Sequence, residues 1–247
     1  MNPKKKPVSI RHGLARVLSK QGLASRTQAA AWICEGRVSV NGRVECNPEF
    51  PVRMGVDVVV VAGEKVVAAE RVIIMLNKPR GLITTVVDEQ SRDTVYSCFK
   101  DVELPWIAPV GRLDKASEGL LLFSNDPQWA ASITDPDTGP DKTYHVQINS
   151  IPDENTLLKM VQGVNMAGDM LYAKSITLLR CGQKNAWLEI VLNEGKNRQI
   201  RRLLSGFEIE VLRLIRVAIG GVQLGDLPKG QWRKLSDEEI NALRARM

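Results

Sequence analysis

The chain has 247 residues, 44% apolar and 25% charged, which suffices for a buried core and for one large domain or a small and a medium one. It has no apolar run near the length of about 18 residues that a membrane helix needs, no secretory signal in MNPKKKPVSIRHG, and four scattered cysteines with no C-x-x-C pair. Net charge is +6, but residues 1–43 hold nine Lys/Arg against one acid, Glu35, and the remainder is slightly acidic, so the positive field belongs to the N-terminal segment and points to a polyanion partner.

Residues 1–10 read as a basic tail. In LARVLSKQGLAS, Leu14, Val17 and Leu18 fall at helical spacing and Gly22 closes the helix. SRTQAAAWICEG follows, where Ser25 with Gln28 has the form of a capping box and Gly36 makes a stop. RVSVNGRVE carries Asn41-Gly42 between two short β-like runs, the signal of a type I′ hairpin. Helix, helix and hairpin make a small module whose charges fall on Arg26, Arg37 and Arg43.

The second part starts near Arg71. RVIIMLNKP reads as a buried strand ended by Pro79, and WIAPV and GLLLF as strands on either side of a polar loop. DPQWAASI is a short helix, KTYHVQI an alternating half-buried strand, and DENTLLKMVQG a helix. AKSITLLR and AWLEIVL are strands, KNRQIRRLLSG a basic helix closed by Gly206, EVLRLIRVAIGG a strand, and SDEEINALRARM a final helix capped by Ser236 with Glu239. Trp32, Trp106, Trp129 and Trp187 are expected to fill core or interdomain space. The order of elements predicts an α+β fold: a small helix–helix–hairpin domain, then a larger one around a mixed, largely antiparallel sheet flanked by helices.

Two resemblances attach to these segments. LARVLSKQGLASRTQAAAWICEGRVSVNGRV resembles the RNA-binding domain named for ribosomal protein S-four, over residues 11–68, with VDVVVVAGEKVV as closing strands. The resemblance implies that Arg26, Arg37 and Arg43 meet RNA. GRLDKASEGLLLFSND (111–126), KTY (142–144) and NEGKNRQIRRLL (193–204) together resemble the pseudouridine synthases of the RsuA/RluB/RluE/RluF family. That family's pattern G-R-L-D-x-x-[TS]-x-G-L-[LI]-L-x-[TS]-N-D is matched almost throughout, with Ser117 at the Thr/Ser position. NKPRG (77–81) and IRVAIGGVQLGDLPKGQWRKL (215–235) fit the same family, so residues 71–247 are the expected catalytic domain.

The resemblance implies a site-specific ribosomal RNA pseudouridine synthase, an isomerase needing neither cofactor nor metal. Asp114 would be the catalytic aspartate, Arg201 its basic partner, and Tyr144 the aromatic packed on the uracil and a candidate to take the C5 proton. Arg112 would fill the space left by the flipped nucleotide, Lys142 would contact phosphate or brace the loop, and Ile200 would floor the base pocket. The resemblance also implies that Lys196, Arg198 and Arg202 meet RNA, with a solvated helix face as the alternative; residues four apart on a helix share a face, so Arg198 and Arg202 point together, which permits Arg201 to turn inward. Some members carry Lys at the position of Arg201, so charge is expected to matter more there than fork geometry. The expected partner is ribosomal RNA, free or in an assembling subunit, bound by a cytoplasmic monomer with no membrane contact and with an affinity that falls steeply with salt.

The chemistry fits one carboxylate. The glycosidic bond breaks, the uracil turns, and its C5 joins the anomeric carbon. The carboxylate can add to that carbon or take a proton from the neighbouring sugar carbon, giving a glycal, and the residues leave both routes open. A uridine in folded RNA must first leave its stack. Two other readings compete: a non-catalytic RNA-binding or assembly factor on the same fold, and glycoside chemistry on a small substrate, for which Glu118 or Asp126 would have to serve as the second carboxylate. His12 and His145 are too few for a metal site.

Overall fold

The computed structural model describes residues 11–67, 69–86, 90, 92–100 and 102–243; the expected basic tail and residues 244–247 of the expected final helix lie outside them. The chain forms two compact units, one of residues 1–72, 103–108 and 125–127, the other of 73–102, 109–124 and 128–247.

The first unit opens with β1 (Arg11–Gly13), α1 (Leu14–Lys20) and α2 (Arg26–Cys34). Ser25 caps α2 by accepting from the Gln28 amide at 3.0 Å. Then come β2 (Val38–Val40), β3 (Arg43–Val44), β4 (Pro51–Arg53), β5 (Val59–Val61) and β6 (Glu64–Lys65). The sheet order is β3-β2-β5-β6, and β1 pairs separately with β4, a pairing the sequence reading lacks. Asn41 and Gly42 both take positive φ, 50° and 82°, as the I′ turn demands. Leu14, Leu18, Ile33 and Val38 are wholly buried in one cluster, so the helical spacing in LARVLSK reports a core face.

The chain goes on through β7 (Ile73–Lys78), a 3-10 turn (Val95–Phe99), β8 (Ala108–Val110), β9 (Glu118–Ser124), α3 (Pro127–Thr134), β10 (Lys142–Ile148), α4 (Glu154–Gln162), β11 (Val164–Met166) and β12 (Asp169–Leu171), of which all but Ala108 and Pro127 belong to the second unit. It continues with β13 (Ser175–Cys181), β14 (Ala186–Leu192), α5 (Gln199–Ser205), β15 (Val211–Ile219), β16 (Val222–Gln223), β17 (Trp232–Lys234) and α6 (Asp237–Ala242). Among the described residues the large sheet runs β13-β14-β10-β15-β9-β7-β17, with β16 on β15 and β8 on β9. Along that order the pairings are antiparallel apart from β15 with β9, so the sheet is mixed and largely antiparallel.

The burial of each strand explains its sequence pattern. β9 is buried along its whole length, which is why LLLF is continuously apolar rather than alternating. One of its faces packs Leu120 and Leu122 with Trp129 and Ile133 of α3 and with Leu243. On the other, Phe123 meets Phe99 and Tyr96 edge-on at ring separations of 4.9 and 5.9 Å. β10 and β14 alternate buried and half-buried residues, so one face carries core and site while the other meets solvent. Trp187 lies on that second face between the guanidinium groups of Arg180 and Arg213, 5.0 and 5.9 Å from its ring, which corrects its expected place in core or interdomain space. The Ser236 capping box of α6 is complete.

Candidate active site

Asp114 sits on the loop between β8 and β9, and the backbone of that loop is held from several sides. The carbonyls of five consecutive residues each accept a hydrogen bond. Thr84 Oγ1 donates to Leu113 at 2.8 Å, Lys78 Nζ to Asp114 at 3.2 Å, the Gly81 amide to Lys115 at 2.8 Å, Arg201 Nη2 to Ala116 at 3.2 Å, and Lys78 Nζ again to Ser117 at 2.8 Å. Each bond is worth only about 1 kcal/mol net, but leaving the buried carbonyls of Leu113 and Ser117 unpaired would cost about 1–3 kcal/mol each, so the set fixes one loop conformation. The NKPRG segment therefore earns its place in the sequence: Lys78 and Gly81 both hold the aspartate loop.

Lys78 is wholly buried. Burial pulls its ammonium down to about 8 from the ordinary 10.5, and the charges of Asp114 and Glu118 oppose the fall. Glu118, one residue inside β9, is 3% exposed and is gripped by Arg213 at 2.7 and 3.1 Å and by Lys229 at 2.7 Å. Burial alone would raise its carboxyl, and these two cations reverse the shift to below the ordinary value.

A cavity of about 540 Å³ opens beside Asp114. That is within the range of about 300–1,000 Å³ usual for small-molecule pockets. Eight of the residues expected at the site line it: Asp114, Tyr144, Arg201, Arg112, Lys142, Lys196, Arg198 and Ile200. Glu118 and Asp126 do not, so the cavity offers neither as the second carboxylate of a glycosidase. Tyr144 is on the buried face of β10 and Ile200 is buried at the start of α5. Lys142 is also buried, one turn of the pleat from Tyr144.

The arginines are arranged differently from the helical-face expectation. α5 starts at Gln199, and Arg198 precedes it in the left-handed conformation, φ 49° and ψ 34°. The four-residue rule therefore does not apply to Arg198 and Arg202. Arg198 Nη1 lies 3.6 Å from Asp114 Oδ2, the shortest ion pair of that carboxylate among the described residues. Arg202 is engaged elsewhere, with Asp169 at 2.8 Å and the Met166 carbonyl at 2.9 Å, strapping α5 to the β11–β12 hairpin. Arg201 donates to the carbonyls of Ala116 and Val211, both at 3.2 Å. Burial and the charge of Arg198 lower its pKa, while Asp114 opposes them. Arg201 thus braces the loop and couples electrostatically to Asp114. Lys196 donates to the Met170 carbonyl at 2.8 Å and lies over the Tyr172 ring.

The cavity also holds residues that the sequence reading missed. Arg216 is 5% exposed on β15, opposite Tyr144 in the ladder. Its Nε donates to the Leu120 carbonyl at 2.7 Å, and its Nη2 has no acceptor among the described residues. The available signal was a cation in phase with the buried Leu214 and Ala218 of an otherwise apolar strand. Gln199, 3% exposed, is another.

In the first unit, Arg26 pairs with Glu49 at 2.9 Å, Arg37 with Glu35 at 3.4 Å, and Arg37 lies 5.3 Å from the Trp32 ring centre. Arg43 is exposed on β3.

Comparison with known proteins covers both units. Residues 72–206 match the family model described as RNA pseudouridylate synthase, and residues 13–58 match the S4 domain. A Bacillus subtilis protein named ribosomal large subunit pseudouridine synthase B is 35% identical over 235 residues, 94% of this chain and 95% of its own. An Aquifex aeolicus protein named as an uncharacterized RNA pseudouridine synthase is 37% identical over 229 residues, 92% of each chain. A solved structure titled as a pseudouridylate synthase superposes with a TM-score of 0.65 at 27% identity, covering 95% of this chain and all of that one.

Proposed function

The chain belongs to the RNA pseudouridylate synthase family, and from that premise we propose that it isomerises one uridine of large-subunit ribosomal RNA, with Asp114 as the reacting carboxylate. The large subunit follows the name of the Bacillus subtilis relative. The observation that carries the residue assignment is the aspartate loop itself. Five bonded carbonyls hold Asp114 at the mouth of a cavity whose walls include Tyr144, Arg198 and Arg201. Such fixation is what an aspartate needs to meet one sugar carbon in a reactive pose.

The steps follow from the residues. Residues 11–68 dock the RNA through Arg26, Arg37 and Arg43, and the domain of residues 71–247 performs the chemistry. The target uridine leaves its stack and enters the cavity, and Arg112, exposed at the rim, takes its place among the bases. Tyr144 packs on the uracil, an aromatic contact of about 1–3 kcal/mol, over the floor made by Ile200. Asp114 then adds to the anomeric carbon, or removes the neighbouring proton to leave a glycal, and by either route the bond to N1 breaks and the uracil departs with its electron pair. The uracil turns and its C5 bonds to the anomeric carbon as the aspartyl bond breaks or the sugar proton returns, after which the C5 proton is lost to solvent or by way of Tyr144 and N1 takes up a proton. Arg198 faces the carboxylate, and Lys142 and Lys196 offer charge to the phosphates. Arg202 we place in the framework, because Asp169 occupies it. The protein works as a monomer in the cytoplasm, where ribosomal RNA is made.

The test is chemical mapping of pseudouridine in transcripts of both ribosomal RNAs, by carbodiimide treatment and primer extension. One modified uridine in the large-subunit transcript is the expected result. No modification of either transcript, free or with early ribosomal proteins bound, would overturn the proposal and favour a binding factor.

Arg201 supplies a second test. Its guanidinium reaches two carbonyls on different segments, each through a separate Nη of one planar fork, a geometry that the single Nζ of a lysine does not reproduce. Arg201→Ala should lower kcat/KM by about 10²–10³-fold and Arg201→Lys by about tenfold, in line with the loss of a loop brace beside the reacting group. A lysine variant as active as wild type would show that charge alone suffices.

A further inference from the structure

The contact between Arg198 and Asp114 depends on a short segment with an unusual backbone. Residues 193–198 leave β14 and reach α5 through Arg198 in the left-handed region, where a side chain other than glycine is disfavoured. Something must hold that turn, and Gln199 is the group in place to do so. Its side chain is 3% exposed and uses both ends. The amide oxygen accepts from the Lys196 backbone N–H at 3.0 Å. The amide nitrogen donates to Glu194 Oε1 at 2.7 Å and to the Tyr172 carbonyl at 3.0 Å. One buried amide thus ties the two sides of the loop to each other and to the chain leaving β12. Glu194 Oε1 also meets Lys196 Nζ at 3.3 Å, which closes the loop on itself.

We infer that Gln199 is a positioning residue: its buried amide fixes the left-handed turn at Arg198 and so sets that guanidinium against Asp114. The inference rests on Asp114 as the reacting carboxylate. Glutamine is the residue that fits, because the site asks for one acceptor and two donors on a single planar group. A carboxylate would supply no donor and would face Glu194, and an aliphatic chain would supply neither.

The experiment compares Gln199→Met and Gln199→Glu with wild type, on the RNA transcript that wild type modifies. Unfolding temperature, kcat and KM are measured, with kcat followed across about pH 5.5–8.5, the span over which a facing pair of carboxyls changes its proton count. Gln199→Met should remain folded and lose about 10–100-fold in kcat with KM within about threefold, the signature of a misplaced group rather than lost binding. Gln199→Glu should be as slow at the alkaline end, where two carboxylates repel and the loop opens. It should recover on acidification, as the introduced carboxyl and Glu194 come to share a proton and a donor reappears. The charged or titratable groups facing that position are Glu194, Lys196 and Tyr172, the last through its carbonyl and with its ring beneath Lys196. Lys196 offsets part of the repulsion, and it is present in wild type too, so a profile that differs from wild type reports the new carboxyl.

A Gln199→Met variant with unchanged kcat, or a Gln199→Glu profile parallel to wild type, would overturn the inference. Asp114→Asn and Arg198→Met separate this failure from that of the underlying reading. If Asp114→Asn is inactive and Arg198→Met slow while Gln199→Met is normal, the role of Gln199 alone fails. If Asp114→Asn turns over like wild type, the assignment of Asp114 fails.

Discussion

Asp114→Asn is expected to lower turnover by at least about 10³-fold, because the amide neither adds to an anomeric carbon nor accepts a sugar proton. The same change should leave RNA affinity within about fivefold, since the ion pair it removes is a half-exposed contact worth about 0–1 kcal/mol. That pair is the 3.6 Å approach to Arg198, with side-chain exposures of 51% and 38%. Asparagine is nearly isosteric, and the bonds that hold the loop go to backbone carbonyls, so its conformation should survive. Removing a negative charge near RNA works, if anything, toward tighter binding. The check pairs single-turnover kinetics with equilibrium binding of the same transcript. Loss of both together would mean that Asp114 holds the fold or docks the RNA.

Gly119→Ala should have the largest effect on stability. Gly119 has φ +99° at the junction of β9 with β15, and an added Cβ would lie 2.2 Å from the Arg216 carbonyl oxygen and 2.9 Å from its nitrogen. Both neighbours are backbone, and β9 is buried on both faces, so no side chain can swing aside. Left-handed strain of about 1–2 kcal/mol and overpacking of about 1–3 kcal/mol add to about 2–5 kcal/mol. For a chain of this size that corresponds to roughly 4–20 °C in unfolding temperature. Thermal unfolding of the purified variant checks it, and an unchanged midpoint would refute the close approach. The junction matters to the site because the parallel rungs, Glu118 with Ile215 and Gly119 with Arg216, set the strand after the aspartate loop beside the cavity wall.

The sequence makes some of this legible and hides the rest for identifiable reasons. The capped helices and the Asn41-Gly42 turn are local, and local chemistry reveals them. The continuous LLLF announces a strand with two covered faces, although not which neighbours cover them. The β15–β9 junction joins residues about a hundred positions apart, so the reason for Gly119 lies in a partner strand that the motif does not contain. Helical periodicity misplaced Arg198 because α5 begins one residue later and the left-handed turn breaks the repeat. It also set Arg202 on a shared face with Arg198, whereas the structure straps Arg202 to Asp169. The β11–β12 hairpin that receives this strap was absent from the reading. Its run VNMAGDML is mostly polar or half-buried and shows no clean alternation. Gln199 passed unnoticed because a glutamine among four basic residues looks like part of a solvated face, and its burial comes from the loop folded over it.

The most direct test is release of tritium from C5-labelled uridine in ribosomal RNA transcripts, with wild type and Asp114→Asn side by side. Isomerisation must exchange the hydrogen at C5 for the new glycosidic bond, so wild type should release tritium from the large-subunit transcript and Asp114→Asn should release none. Release by Asp114→Asn at the wild-type rate, or none by wild type from any transcript, would contradict the account.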